Sequence, residues 1–202
     1  MKINGNGAIR PSGLAFDVDG VVADTMAVFV ELAHKQYGMT RLTKEDLRCY
    51  DLYQCVDAER KVIDDLIGLT LNDENTLQVP PMPGAPEVLT ELARYTPLRF
   101  VTARIWPESI IEWMHNTLPK VPSGRIQVIA TGDPAAKLDI LRKLRVTHFV
   151  EDRPETCKLL AKDGIQPLLF DQPWNRIPSV AEFPRIENWL QLRQWVLPTN
   201  GK

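Results

Sequence analysis

Short apolar runs recur along the chain, and several close on a carboxylate, a hydroxyl or a glycine. The first is Gly13-Leu14-Ala15-Phe16-Asp17-Val18-Asp19-Gly20. A run this short, ended by acids and a glycine, predicts a buried strand that opens into a loop. Asp24-Thr25 then offers a cap for a helix through Met26, Phe29, Val30, Ala33 and Tyr37, whose spacing is helical, with Gly38 as its stop.

From Arg41 to Val79 the pattern changes. Thr43-Lys44-Glu45-Asp46 reads as a helix start, with Asp standing where a capping box prefers Glu or Gln. Asp57 to Leu69 carries a helical pattern in Val62, Ile63, Leu66 and Ile67. No strand is predicted here, and Pro80-Pro81-Met82-Pro83-Gly84 closes the section with a stiff turn. Residues 25–81 are therefore expected to form a small helical insertion between 1–24 and 82–202.

Beyond the prolines strands and helices alternate. Helices are predicted over Ala85 to Arg94, Pro107 to Thr117, Ala135 to Leu144 and Thr156 to Lys162, and a last one from about Ile186 to Val196. Strands are predicted over Leu98 to Thr102, Ile126 to Ala130, Thr147 to Val150 and Leu168 to Phe170, with Glu151-Asp152 just after the third of these. Such alternation implies right-handed crossovers and an α/β fold, a Rossmann-like parallel sheet with helices on both faces.

Composition narrows the class. The 202 residues are 44% hydrophobic and 25% charged, with a net charge of -2. A chain this near neutral has no global attraction for a nucleic-acid polymer or an acidic membrane. No apolar run approaches the roughly 18 residues of a membrane span. Met1 to Arg10 has no apolar stretch of signal-peptide length. The odd set Cys49, Cys55 and Cys157, without C-x-x-C spacing, argues for free thiols in a reducing, cytoplasmic setting.

In an open parallel sheet, ligands bind beyond the carboxyl ends of the strands. The polar residues expected there are Asp17 and Asp19, Thr102 and Arg104, and Glu151 and Asp152, with Lys137 early on a neighbouring helix. A carboxylate can attack a phosphoryl group and split one hard displacement into two easier ones. A second acid can protonate the leaving alcohol. A hard cation such as Mg²⁺ relieves the repulsion among crowded carboxylates and phosphate, while a hydroxyl and a lysine hold phosphoryl oxygens.

These residues carry a resemblance. Phe16-Asp17-Val18-Asp19-Gly20-Val21-Val22 resembles the first motif of the haloacid dehalogenase (HAD) superfamily, D-x-D-G in its phosphatases. Phe100-Val101-Thr102, Lys137 and Phe149-Val150-Glu151-Asp152 are similar to its second, third and fourth motifs, in the right order. Asp19-Gly20-Val21-Val22-Ala23-Asp24, Pro83-Gly84-Ala85 and Glu151-Asp152-Arg153-Pro154 further resemble the 5'(3')-deoxyribonucleotidase branch, which also carries a small helical cap between its first and second motifs. The chain departs from that branch at Ala103-Arg104, where Ser-Pro is usual, and at Glu151, where Asp is usual.

The resemblance implies a Mg²⁺-dependent phosphatase of a small substrate, with a nucleoside monophosphate favoured. Asp17 would be nucleophile and metal ligand, and Asp19 general acid/base, offering the metal its backbone carbonyl. Asp152 would be the side-chain metal ligand of the fourth motif. Thr102 and Lys137 would bind the phosphoryl oxygens; Ala103 and Arg104, where the chain departs from the branch, are expected at the substrate by position alone.

Other readings stay open. Glu151 is either an acid of the metal site or a solvent-facing side chain. Arg104 either clamps phosphate or pairs with Asp133 or Glu108. Lys137 competes with Lys143 and with the ordinary solvated lysine of a helix start. Asp24 reads as a helix cap and Arg153 as structural. Tyr37, Tyr50 and Tyr53 either stack on a base or form the insertion's own core. The tryptophans are too dispersed for a nucleic-acid platform. The competing functions are phosphatase action on a sugar phosphate and a non-catalytic binding protein of the same fold. The missing G-x-x-x-x-G-K-[ST] loop disfavours a nucleotide kinase.

Overall fold

A computed structural model describes residues 9–197. Most of the Met1 to Arg10 segment and the tail after Leu197 lie outside the described residues. In chain order the elements are β1 (Leu14–Phe16), α1 (Thr25–Tyr37), α2 (Arg60–Thr70), α3 (Asp73–Thr76), α4 (Ala85–Leu92), β2 (Leu98–Thr102), α5 (Glu108–Thr117), β3 (Ile126–Ala130), α6 (Lys137–Lys143), β4 (His148–Glu151), α7 (Pro154–Lys162), β5 (Gln166–Phe170), β6 (Arg185–Ile186) and α8 (Trp189–Val196). The strands form one six-stranded sheet in the order β3-β2-β1-β4-β5-β6, parallel at every pairing.

The apolar runs read as buried strands because both faces of the sheet are covered. Alternate residues enter different clusters. Leu14, Phe16, Leu98, Phe100 and Val150 pack with Val88, Leu89, Ile110, Met114 and Leu192 of α4, α5 and α8. Ala15, Val101 and Phe149 pack with Leu141 and Leu160 of α6 and α7. Phe16 lies 5.8 Å from Phe100 and 5.4 Å from Trp189, ring centre to ring centre. The buried Trp189 indole satisfies its N–H on the carbonyl of Val21 at 2.9 Å, which ties α8 to the loop after β1.

Chain order reverses around β1, since β2 and β3 lie on one side and β4 to β6 on the other. That switch point opens a crevice beyond the carboxyl end of β1. Between β1 and α4 the described chain has α1, α2, α3 and short 3-10 turns, with no strand of the sheet. This segment leaves and returns at one place: Ala23 bridges Pro81, Asp24 N–H donates to Pro80 and Met82 N–H donates to Val22.

Several expectations need correction. The last helix starts at Trp189, because the Asn188 side chain accepts the Gln191 N–H at 2.9 Å and caps it there; Ile186 instead belongs to β6. Glu151 is the last residue of β4 and pairs with Leu169. The short α3 was not anticipated; Asn72 caps it on Asn75 N–H at 2.8 Å. Asp24 precedes α1 without a side-chain cap bond, and its carboxylate accepts from Lys44 at 2.6 Å. Thr43–Asp46 supports only a 3-10 turn, in which Asp46 accepts the Thr43 N–H at 2.9 Å.

Candidate active site

The sheet ladder places the first acid. Asp17 N–H donates to Val150 at 2.9 Å, so its carboxylate emerges beside the end of β4. The chain then turns sharply, with Val22 and Ala23 N–H groups both donating to Val18 at 2.9 Å. Gly20 takes φ 75°, and a Cβ there would clash with Asp152 Oδ2. Conformation and space both demand glycine after the second aspartate.

Three acids converge. Asp17, Glu151 and Asp152 each offer a carboxylate oxygen, all within 4.8 Å of one another, and all three are buried. Lys137 joins them from the first turn of α6, at 2.6 Å from Asp17 Oδ2 and 3.0 Å from Glu151 Oε2. Glu151 is 0% exposed, so the solvent-facing reading is overturned. Its other oxygen accepts the N–H groups of Asp152 at 3.1 Å and Arg153 at 3.0 Å. The solvated reading of Lys137 also fails, since it is 2% exposed, whereas Lys143 lies exposed in the last turn of α6.

The second aspartate stands apart from that group. Asp19 accepts from Arg104 Nε at 3.0 Å and Nη2 at 2.8 Å, and from Thr25 Oγ1 at 2.6 Å. Arg104 thus pairs with neither Asp133 nor Glu108. Its Nη1 donates to Thr76 at the end of α3, at 2.6 Å. Thr102 is buried at the end of β2, with its hydroxyl 3.5 Å from Asp19 Oδ2.

The electrostatics follow from burial and charge count. Five carboxylates of the cavity lining (Asp17, Asp19, Asp51, Glu151, Asp152) face three cations (Arg104, Lys137, Arg153), an excess of two negative charges. Burial and the Glu151 charge push Asp17 well above the ordinary carboxylate range. Burial raises Glu151 too. Burial and Asp17 raise Asp152 to about 7. Burial also opposes ionisation of Asp19, but Arg104 outweighs it and the pKa ends below its usual value. For Lys137, burial is outweighed by Asp17 and Glu151, so the ammonium is held charged. Buried carboxylates forced toward neutrality suit a missing countercharge. A hard dication with oxygen ligands fits the donor set Asp17, Glu151 and Asp152 and cancels the excess.

Some residues of the site were missed by sequence reasoning. Trp174 donates its indole N–H to Asp152 Oδ2 at 2.8 Å. Asn175 donates to the Asp152 carbonyl at 2.8 Å, and Gln172 to the Gly20 carbonyl at 2.6 Å. The available signal was position, because Gln172-Pro173-Trp174-Asn175 follows β5 at the same edge as the other polar strand ends.

The acids line a cavity of about 510 Å³. Met26, Tyr50, Leu52, Tyr53, Ile67 and Leu71 of the helical segment line it too, as do Ala103, Arg153 and Trp174. Tyr50 and Tyr53 are exposed, so they are not the insertion's core; Tyr37, by contrast, packs against the main cluster. The Arg153 guanidinium lies 4.5 Å from the Tyr50 ring centre, with Glu155 3.5 Å from its Nε.

The sequence profile of the family described as "5' nucleotidase, deoxy (Pyrimidine), cytosolic type C protein" matches residues 10–200. The chain belongs to this family. It is 28% identical over 193 residues to "Putative nucleotidase BH1399" of Halalkalibacterium halodurans, covering 89% of this chain and 90% of that one. It is 22% identical over 186 residues to "Putative nucleotidase YqfW" of Bacillus subtilis, covering 91% and 92%. Among solved structures it is similar to an HAD family hydrolase from Deinococcus radiodurans (TM-score 0.65, 12% identity, 93% of this chain and 98% of that one). A haloacid dehalogenase-like hydrolase from Streptococcus pneumoniae gives a TM-score of 0.63 at 13% identity, over 90% and 96%. The fold is that of the HAD hydrolases, and the family is one of phosphoric monoester hydrolases. Among the described residues no helix is long and apolar enough to cross a membrane.

Proposed function

We propose that this chain hydrolyses nucleoside monophosphates by way of a phosphoryl group carried on Asp17, with Mg²⁺ as its metal. The observation that carries the reading is the buried convergence of Asp17, Glu151 and Asp152 on Lys137 at the switch point of the sheet. An acid so placed serves poorly as a surface charge and well as an attacking group held in one direction.

In the first step an Asp17 oxygen attacks phosphorus, the bond to the leaving alcohol breaks, and Asp19, which must first turn off the Arg104 fork and take up a proton, gives that proton to the alcohol. In the second step Asp19 takes a proton from water, the water oxygen attacks phosphorus, and the carboxylate of Asp17 leaves with inorganic phosphate released. Thr102 and Lys137 hold phosphoryl oxygens through both steps. Asp17, Glu151 and Asp152, with the Asp19 carbonyl, would hold Mg²⁺, which when bound neutralises charge on the phosphate and its carboxylates. Residues 25–81 act as a cap that excludes water from the first step. The nucleotide is favoured by the names of the family and its relatives, and by a cavity that Tyr50 and Tyr53 line together with the acids.

The test is phosphate release from a panel of nucleoside monophosphates and sugar phosphates, with Mg²⁺ and with chelator, beside Asp17→Asn. Release from nucleotides should require Mg²⁺ and fall about 10⁴-fold or more in the variant, as when a nucleophile is removed. Release that survives the substitution sinks the reading of Asp17. A preference for sugar phosphates moves the substrate and leaves the chemistry.

A further inference from the structure

Beside the cavity two thiols face each other without a part in the chemistry above. Cys49 and Cys55 flank the 3-10 turn Leu52–Gln54 of the helical segment. The turn folds back on itself: Asp51 accepts from the Tyr53 N–H at 3.3 Å and the Gln54 side chain at 2.9 Å, and Cys55 N–H donates to Leu52 at 3.2 Å. Its two ends therefore meet. The Cys55 thiol donates to the Cys49 carbonyl at 3.7 Å, and the two thiols lie within hydrogen-bonding reach of each other. Both are half-buried, whereas Cys157 is fully buried in a separate cluster. Cys49 lines the cavity with Tyr50 and Tyr53, while Cys55 packs against the core. Both tyrosines thus sit inside the loop that the thiols would close.

We infer that Cys49 and Cys55 are a redox pair: a peroxide joins them in a reversible disulfide that resets the tyrosine turn and weakens substrate binding. The Cys49 thiolate attacks one oxygen of hydrogen peroxide, the O–O bond breaks, and the other oxygen leaves as water after taking a proton. Cys49 is then a sulfenic acid. The Cys55 sulfur attacks the Cys49 sulfur, its proton joins the departing hydroxyl, and a second water leaves as the S–S bond forms. Two thiols are oxidised and one peroxide is reduced to two waters. Burial and the Cys49 thiol raise the pKa of Cys55, which suits it to resolve the sulfenic acid rather than to meet the peroxide first.

An S–S bond is about 2.05 Å long, far shorter than a contact between two thiols. Forming it draws the Cys49 sulfur toward Cys55, and Tyr50 is the next residue in the chain. Tyr50 stacks on Arg153, 4.5 Å from its ring centre, and that contact is the one the bond strains. The effect on substrate rests on the nucleotidase reading; the bond itself does not.

The test uses the full chain, reduced, then treated with hydrogen peroxide and freed of excess oxidant. Trypsin cuts after Arg48 and Arg60, leaving both cysteines on the peptide 49–60 and Cys157 on another. Without reductant that peptide should be lighter by two hydrogens, and dithiothreitol should restore them. Oxidation should raise KM for a nucleoside monophosphate about tenfold, the scale of one base–aromatic contact, with kcat nearly unchanged. Cys55→Ser should keep the KM of the reduced protein and hold it under peroxide. In Tyr50→Ala oxidation should raise KM no further. Over-oxidation of Cys49 without a disulfide, or a link to Cys157 or to a second chain, overturns the pair. A disulfide that leaves KM unchanged overturns its control of substrate. If the reduced protein turns over no nucleotide, the reading beneath has failed instead. The reset turn is then judged by hydrogen exchange in residues 49–60, where slowing on oxidation supports it and no change overturns it.

Discussion

The cavity is lined by two sets of groups built on opposite terms. At the sheet edge the polar groups are buried and each has a named partner: Asp17 and Glu151 on Lys137, Asp152 on Trp174. On the helical-segment side, Tyr50 is 48% exposed and Tyr53 38% exposed. Tyr53 rests on the surface groups Asp64 and Arg60, and Tyr50 on Arg153. Buried charge is tolerated only when its geometry is held, and removing one member leaves the rest uncompensated. Exposed aromatics keep water contact and offer their faces at little cost. On the proposed reading the difference separates the groups that perform the chemistry from those that choose what enters.

The strongest way to break this contrast is at Lys137. Lys137→Met strands the Asp17 and Glu151 charges, and should lower stability by about 3–5 kcal/mol, as for other broken buried pairs. Chemical denaturation of the metal-free protein reads it. A loss under about 1 kcal/mol, the scale of an exposed pair, would mean the cluster is not dry.

A smaller effect is expected one layer back. Trp174→Phe keeps the ring but removes the donor to Asp152. The Mg²⁺ concentration for half-maximal activity should rise about tenfold, the usual cost of losing a partner behind a metal ligand. An unchanged Mg²⁺ dependence would mean that the Trp174 hydrogen bond does not orient Asp152 for the metal.

The smallest effect on the fold is expected at the exposed tyrosines. Tyr50→Ala should raise KM for nucleoside monophosphates about tenfold, the scale of one base–aromatic contact, with kcat and thermal stability nearly unchanged. A fall in kcat without a change in KM would instead give Tyr50 a part in the chemistry.

How far the sequence could be read follows the same division. The strands were legible because short apolar runs buried on both faces need only local pattern, and Leu98–Thr102 and Ile126–Ala130 fall where periodicity puts them. The acids of β1 and β4 were legible because strand ends carry position. Glycine at 20 is explained by its φ and by Asp152. The depth of Glu151 and the partner of Arg104 were not legible. Each depends on which strand or helix lies opposite, and Arg104 meets Asp19 and Thr76 across long stretches of chain. Trp174 was passed over because one aromatic in a proline-rich loop carries no periodic signal. The helical segment was readable as helical but not in detail, since α3 is a single capped turn.

The most direct measurement is chemical. The protein is mixed in excess with a nucleoside monophosphate and Mg²⁺, quenched in acid during the first turnover, digested and analysed by mass spectrometry. The account predicts one phosphate on the peptide that holds Asp17, absent in Asp17→Asn and lost when the quench is delayed. Nucleoside release during that turnover with phosphate found only in solution at every quench time, or on a different residue, would contradict it.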